Sequence, residues 1–247
     1  MASNVVVATS RGRELKKHLP ESVLVRYDGG ASLEQLMEKA MTITTPTYHR
    51  NKRYHIYFVG GIPNITRLIK NRSENYRECV YDQDPSVTAS KFLEKITEMQ
   101  NVFLQRGALP IFATVPRVNL AKYNMYFILN GMTKQLKFSD QYATMQSKFD
   151  EALHTINNHI FETNQKVKVT TPLLHMTIRE RRGSKKRYVA WKWELLYDGV
   201  HATEPLRKTW AGVLKEAMDE NGKLEDAGEQ DPPKRFSKFA SERKGSE

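Results

Sequence analysis

Short, fully apolar runs alternate with stretches of helical period, and this alternation constrains the fold more than any other feature of the chain. Val5-Val6-Val7-Ala8, Val23-Leu24-Val25, Ile56-Tyr57-Phe58-Val59 and residues 110–115 carry almost no polar side chains. A strand buried on both faces reads this way, because side chains on either side meet a core. Between the runs the period changes. A short helix is predicted over 11–19, stopped before Pro20. A second opens at Ser32, with Ser32 and Gln35 placed as a capping box and Leu33, Leu36, Met37 and Ala40 on one face. From Ser86, Phe92, Ile96, Met99 and Phe103 share a face until Gly107. Tyr142, Met145, Phe149, Leu153, Ile156 and Ile160 form the cleanest stripe, and Leu206, Trp210, Val213 or Leu214, and Ala217 the last.

Strand–helix alternation implies a parallel sheet covered on both sides. With a fifth, short strand over 171–175, the expected architecture is α/β: a three-layer sandwich around a central, mostly parallel five-stranded sheet, flavodoxin-like, with helices on both faces. Residues 70–85 read as a polar, irregular segment, either a lid or a long connection, and 116–131 as another connection. One domain is expected over 1–221. Residues 222–247 lack periodicity and read as a disordered charged tail.

A chain of 247 residues suits one large core. No apolar run approaches the roughly 20 residues that span a bilayer, and the first residues read as strand rather than signal peptide. Cys79 is the only cysteine. That excludes an intrachain disulfide and a thiolate-rich zinc site, and favours a reducing compartment, cytoplasmic or nuclear. His154 and His159, five apart, do not share a helix face, so no metal pair is read there, and no external cofactor is expected. The net charge is +11. The tail is balanced, so the excess lies in the folded body. A polyanion such as nucleic acid is one expected partner, with Arg11, Arg13, Arg179, Arg181, Arg182, Lys185, Lys186 and Arg187 as candidate contacts. The alternative for the basic segment is a solvated hairpin turning at Gly183-Ser184.

In an open α/β sheet, ligands bind beyond the carboxyl ends of the strands. Ser10 follows the first run, Gly29-Gly30 the second, and Gly60-Gly61 with Asn64 the third. Asp198-Gly199-Val200-His201 stands before the last helix. An Asp and a His three positions apart can point into one cleft, the carboxylate orienting the imidazole as a general base for a serine. Each piece also has a plainer reading. Ser10 can cap a helix, Asp198 can close a turn at Gly199, and Asn64 can close an Asx turn. Tyr188, Trp191, Trp193 and Tyr197 beside the basic run could form a stacking platform for single strands, but the alternation of Trp191, Trp193 and Leu195 favours one buried strand face.

This ordered set resembles the SGNH hydrolases, or GDSL-type esterases. That family carries a Ser after strand one, a Gly after strand two, Gly-x-Asn after strand three and Asp-x-x-His before the final helix. The likeness covers residues 5–218, and Thr114-Val115-Pro116 also matches. The resemblance implies a catalytic triad of Ser10, Asp198 and His201. It implies an oxyanion hole from the N–H groups of Ser10 and of Gly29 or Gly30, with the Asn64 amide. The first block departs from the family: Ala8-Thr9-Ser10 replaces Gly-Asp-Ser. The third, Gly61-Ile62-Pro63-Asn64, is one residue longer. Two functions therefore stand open. One is an esterase acting on an acyl ester. The other is a catalytically degenerate module that binds nucleic acid or assembles with partners, like the SGNH-like domains of mobile-element proteins.

Overall fold

The computed structural model describes residues 3–44, 53–174, 178–182 and 187–228. Strands β1 (Ser3–Ala8), β2 (Leu24–Tyr27), β3 (Tyr54–Val59) and β6 (Ala108–Phe112) form a parallel sheet in the order β2-β1-β3-β6. Alternation within β1 sorts its side chains onto two cores. Val5 and Val7 join one, and Val6 and Ala8 the other. The first core is covered by α1 (Leu33–Ile43), α3 (Pro85–Gln105), α4 (Leu120–Leu129) and α5 (Tyr142–Lys166). The second is covered by two 3-10 turns, Ser10–Gly12 and Leu15–His18, and by α6 (Glu204–Gly228), whose Trp210 is fully buried. The expected three-layer α/β architecture is thus present.

The sheet has four strands rather than five. Residues 171–174 run extended beside β6, and the Thr114 N–H reaches the Pro172 carbonyl at 3.0 Å, but no ladder forms. Two causes are visible. Pro172 has no N–H to return a bond. The free edge of β6 is also already occupied by side-chain amides of α5. Asn164 bonds both the N–H and the C=O of Phe112 (3.1 and 2.7 Å), and Asn157 does the same for Val115 (2.8 and 3.1 Å). His175 lies outside the described residues.

Three further expectations change. The segment 70–85 is not irregular. Most of it belongs to an antiparallel hairpin, β4 (Arg67–Asn71) with β5 (Tyr76–Val80), entered through one helical turn, α2 (Ile62–Ile65). The hairpin is anchored by Glu78, a fully buried carboxylate. It accepts from the Tyr76 and Tyr142 hydroxyls and from the Lys137 and Phe138 N–H groups, at 2.8 and 3.1 Å. The connection over 116–131 contains α4, capped by Asn119, whose Oδ1 accepts from the Lys122 N–H at 2.9 Å. Finally, α6 continues to Gly228, past the expected boundary at 221. Residues 229–247 lie outside the described residues. The aromatic segment divides between β8 (Arg187–Trp191), paired with β7 (Ile178–Arg182), and a 3-10 turn at Trp193–Leu195. Among the described residues no helix is long and apolar enough to cross a membrane.

Candidate active site

Parallel strands point their carboxyl ends to one rim, and the loops there meet around Ser10. Strand β1 ends at Ala8, and the chain folds back at once. The Gly12 N–H donates to the Thr9 carbonyl at 2.9 Å. A Cβ at Gly12 would lie 2.1 Å from that of Ala8, so only glycine permits this reversal. The expected helix over 11–19 is replaced by the two 3-10 turns, and Ser10 starts a three-residue turn rather than a full helix.

Asp198 and His201 arrive from a segment far along the chain. Leu196 bridges to Ala202, and the Tyr197 N–H donates to the His201 carbonyl at 3.0 Å, closing a tight loop. At its apex Gly199 has φ +94°, and a Cβ there would come within 2.6 Å of the Asn119 carbonyl oxygen and the Tyr123 nitrogen. The loop therefore packs directly on the start of α4. The Asn119 N–H donates to the Gly199 carbonyl at 2.8 Å. Lys122 fixes the preceding turn by donating to the carbonyls of Trp193 and Leu196.

Within this frame three side chains line up. Ser10 Oγ is 2.8 Å from His201 Nε2, and His201 Nδ1 is 2.6 Å from Asp198 Oδ2. The second carboxylate oxygen of Asp198 accepts from the Val200 and His201 N–H groups at 2.9 and 2.7 Å. Burial (2 % exposed) raises the carboxyl pKa. The hydrogen bond from His201, its charge and the two N–H groups outweigh burial, and hold the group below the usual carboxylate range. A carboxylate that orients an imidazole, with a serine hydroxyl on the far nitrogen, is the arrangement that transfers a proton off the hydroxyl.

Comparison with known proteins separates fold from sequence. No protein-family model matches the chain. No curated protein matches it. Solved structures do. One is an acylhydrolase candidate from Bacteroides fragilis: TM-score 0.54, 13 % identity, covering 88 % of this chain and 86 % of that one. Another is a GDSL-like lipase from Bacteroides thetaiotaomicron: TM-score 0.51, 13 % identity, covering 88 % of each chain. The chain has the GDSL/SGNH acylhydrolase fold.

The residues expected from the sequence to form an oxyanion hole divide. Ser10, Gly29 and Gly30 line one cavity of about 970 Å³ together with His201. Their backbone N–H groups donate to no carbonyl among the described residues. Asn64 does not join them. Its Oδ1 accepts from the Leu33 N–H at 2.8 Å and its Nδ2 donates to Glu34 at 3.1 Å. The longer third block, wound into α2, places the amide under the first turn of α1 instead.

The basic residues also divide. Arg11 and Arg13 both line the cavity. Arg11 is 5 % exposed, with its Nη1 on the Pro116 carbonyl at 3.0 Å and its guanidinium over the Trp210 ring. Burial lowers its pKa to about 10, opposed by the nearby Asp198. Its guanidinium is thus largely enclosed by protein at the cavity wall, near Asp198. The backbone of Arg179, Arg181, Arg182 and Arg187 runs in the paired strands β7 and β8, while residues 183–186, with Lys185 and Lys186, lie outside the described residues.

Two aromatic contacts of His201 were not expected from the sequence. The Tyr197 ring stacks on His201 (centroids 5.6 Å, planes at 20°), and Tyr123 meets it edge-on at 6.5 Å. Tyr197, immediately before Asp198, offered a signal by position alone. Tyr123, on a helix absent from the expected elements, offered none.

Proposed function

We propose that this chain is a serine ester hydrolase. Ser10 Oγ attacks the acyl carbon while His201 Nε2 takes its proton. The imidazolium then gives that proton to the departing alkoxide, leaving an acyl-Ser10 ester. Water, deprotonated by His201, attacks this ester, releases the carboxylic acid and restores the serine. Asp198 holds the tautomer that keeps the Nε2 lone pair facing Ser10. The N–H of Ser10 and that of Gly29 or Gly30 receive the oxyanion, each such donor being worth about 3–4 kcal/mol in barrier height. The observation that carries this reading is the continuous hydrogen-bonded chain from Ser10 through His201 to Asp198, at 2.8 and 2.6 Å.

A fluorophosphonate probe tests it. Labelling of the native protein, abolished by Ser10→Ala and accompanied by hydrolysis of short 4-nitrophenyl esters, is the expected result. A folded protein that neither labels nor hydrolyses returns the chain to the non-catalytic reading.

A further inference from the structure

We infer that the β4–β5 hairpin forms a subsite for an anionic group on the substrate, so that the preferred esters carry a carboxylate or phosphate; the inference rests on the hydrolase reading above. Strand register carries it. Leu68 pairs with Cys79 and Lys70 with Arg77. All four share one face of the hairpin and line the cavity that contains Ser10 and His201. The opposite face carries Tyr76, Glu78 and Val80 into the core.

Two cations directly opposite each other across a strand pair repel. Among the described residues nothing nearby neutralises these two. Neither Lys70 nor Arg77 has an acidic partner among the described residues. Other cations around the hairpin do: Arg67 with Asp82, and Lys137 with Glu74 at 2.9 Å. Across the cavity Arg207 is matched by Glu14 and Glu204 at 3.6 and 3.5 Å. Glu14, the one acidic lining residue among the described residues, is thus already engaged by Arg207 and Lys17. Arg77 is held by soft contacts that leave its charge uncompensated. Its guanidinium lies 4.6 Å over the Phe127 ring, and Nη1 is 3.8 Å from Met132 Sδ. The uncharged pair Leu68–Cys79 lies next to this cationic pair, about 7 Å away along the strands. That spacing suits an apolar stretch of substrate ending in an anion.

The test compares 4-nitrophenyl hemisuccinate with 4-nitrophenyl butanoate, and 4-carboxyphenyl butanoate with phenyl butanoate, so that the charge sits on the acyl or the alcohol side. Succinate and inorganic phosphate as competitors distinguish carboxylate from phosphate recognition. One anionic ester should exceed its neutral counterpart about tenfold in kcat/KM. That ratio should fall to near one in Lys70→Gln/Arg77→Gln and persist in Arg67→Gln, whose charge is on the other side of the same strand. Equal rates for both pairs, or a preference that survives the double substitution, overturn the inference. If no ester is hydrolysed, calorimetric binding of N-(4-nitrophenyl)succinamate against N-(4-nitrophenyl)butanamide decides. An anion preference lost in the double variant upholds the subsite while the hydrolase reading falls, and no preference overturns it.

Discussion

Replacing Asp198 by Asn exchanges one carboxylate oxygen for an NH2 group and changes almost nothing in shape. Its chemical consequence follows from the partners already in place. Oδ1 accepts two backbone N–H groups, at 2.9 and 2.7 Å, and a carboxamide can meet both only by turning its carbonyl oxygen toward them. The NH2 group then faces His201 Nδ1 across the 2.6 Å contact, and Nδ1 must become the acceptor. The ring proton moves to Nε2, which faces Ser10 Oγ at 2.8 Å. The base now presents a proton where it needs a lone pair. The opposite flip sets NH2 against two N–H donors and loses both bonds. Either way the expected fall in kcat is on the order of 10⁴, about 5 kcal/mol of barrier. Hydrolysis of a short 4-nitrophenyl ester between pH 7 and 9, with the rate of fluorophosphonate labelling, measures it. A folded Asp198→Asn protein within tenfold of the native kcat would refute the reasoning.

Three other outcomes are expected. Asp198, held below its ordinary pKa, stabilises the fold above the unfolded-chain value near 4, and that contribution is lost as pH falls through the lower folded value. Urea melts from pH 2 to 6 should therefore show a shallower acid slope in Asp198→Asn, and an unchanged slope would contradict this. Glu78→Ala leaves two phenols and two N–H groups buried without their acceptor, and should cost about 3–5 kcal/mol in the urea transition. A loss below 1 kcal/mol would show the carboxylate is not the anchor described. Gly12→Ala forces a methyl against Ala8 at the turn carrying Ser10, so the protein that still folds should lose at least tenfold in labelling rate. Native labelling would show that the turn tolerates a side chain.

The strands and the rim residues were legible because their signals are local. A doubly buried strand is apolar throughout, and Asp198 with His201 is a four-residue motif. What escaped depends on partners distant in sequence. The β4–β5 hairpin reads as polar because Glu78, fully buried, is satisfied by Tyr142, Lys137 and Phe138, about 60 positions away. Helix α4 has too little polar face for its period to register, since most of Leu120–Leu129 is apolar. The fifth strand failed because α5 amides took the β6 edge, a competition that strand propensity does not encode. Arg11 was counted as surface charge, but its guanidinium is buried against Trp210 and the Pro116 carbonyl. Asn64 kept its motif position and lost its direction, because one added residue in the third block wound into a helical turn.

Ser10 and His201 are 191 positions apart. During synthesis Ser10 is translated that far ahead of the imidazole proposed to activate it. On the proposed mechanism, a probe reacting at Ser10 therefore counts only molecules in which these two distant segments have already come together.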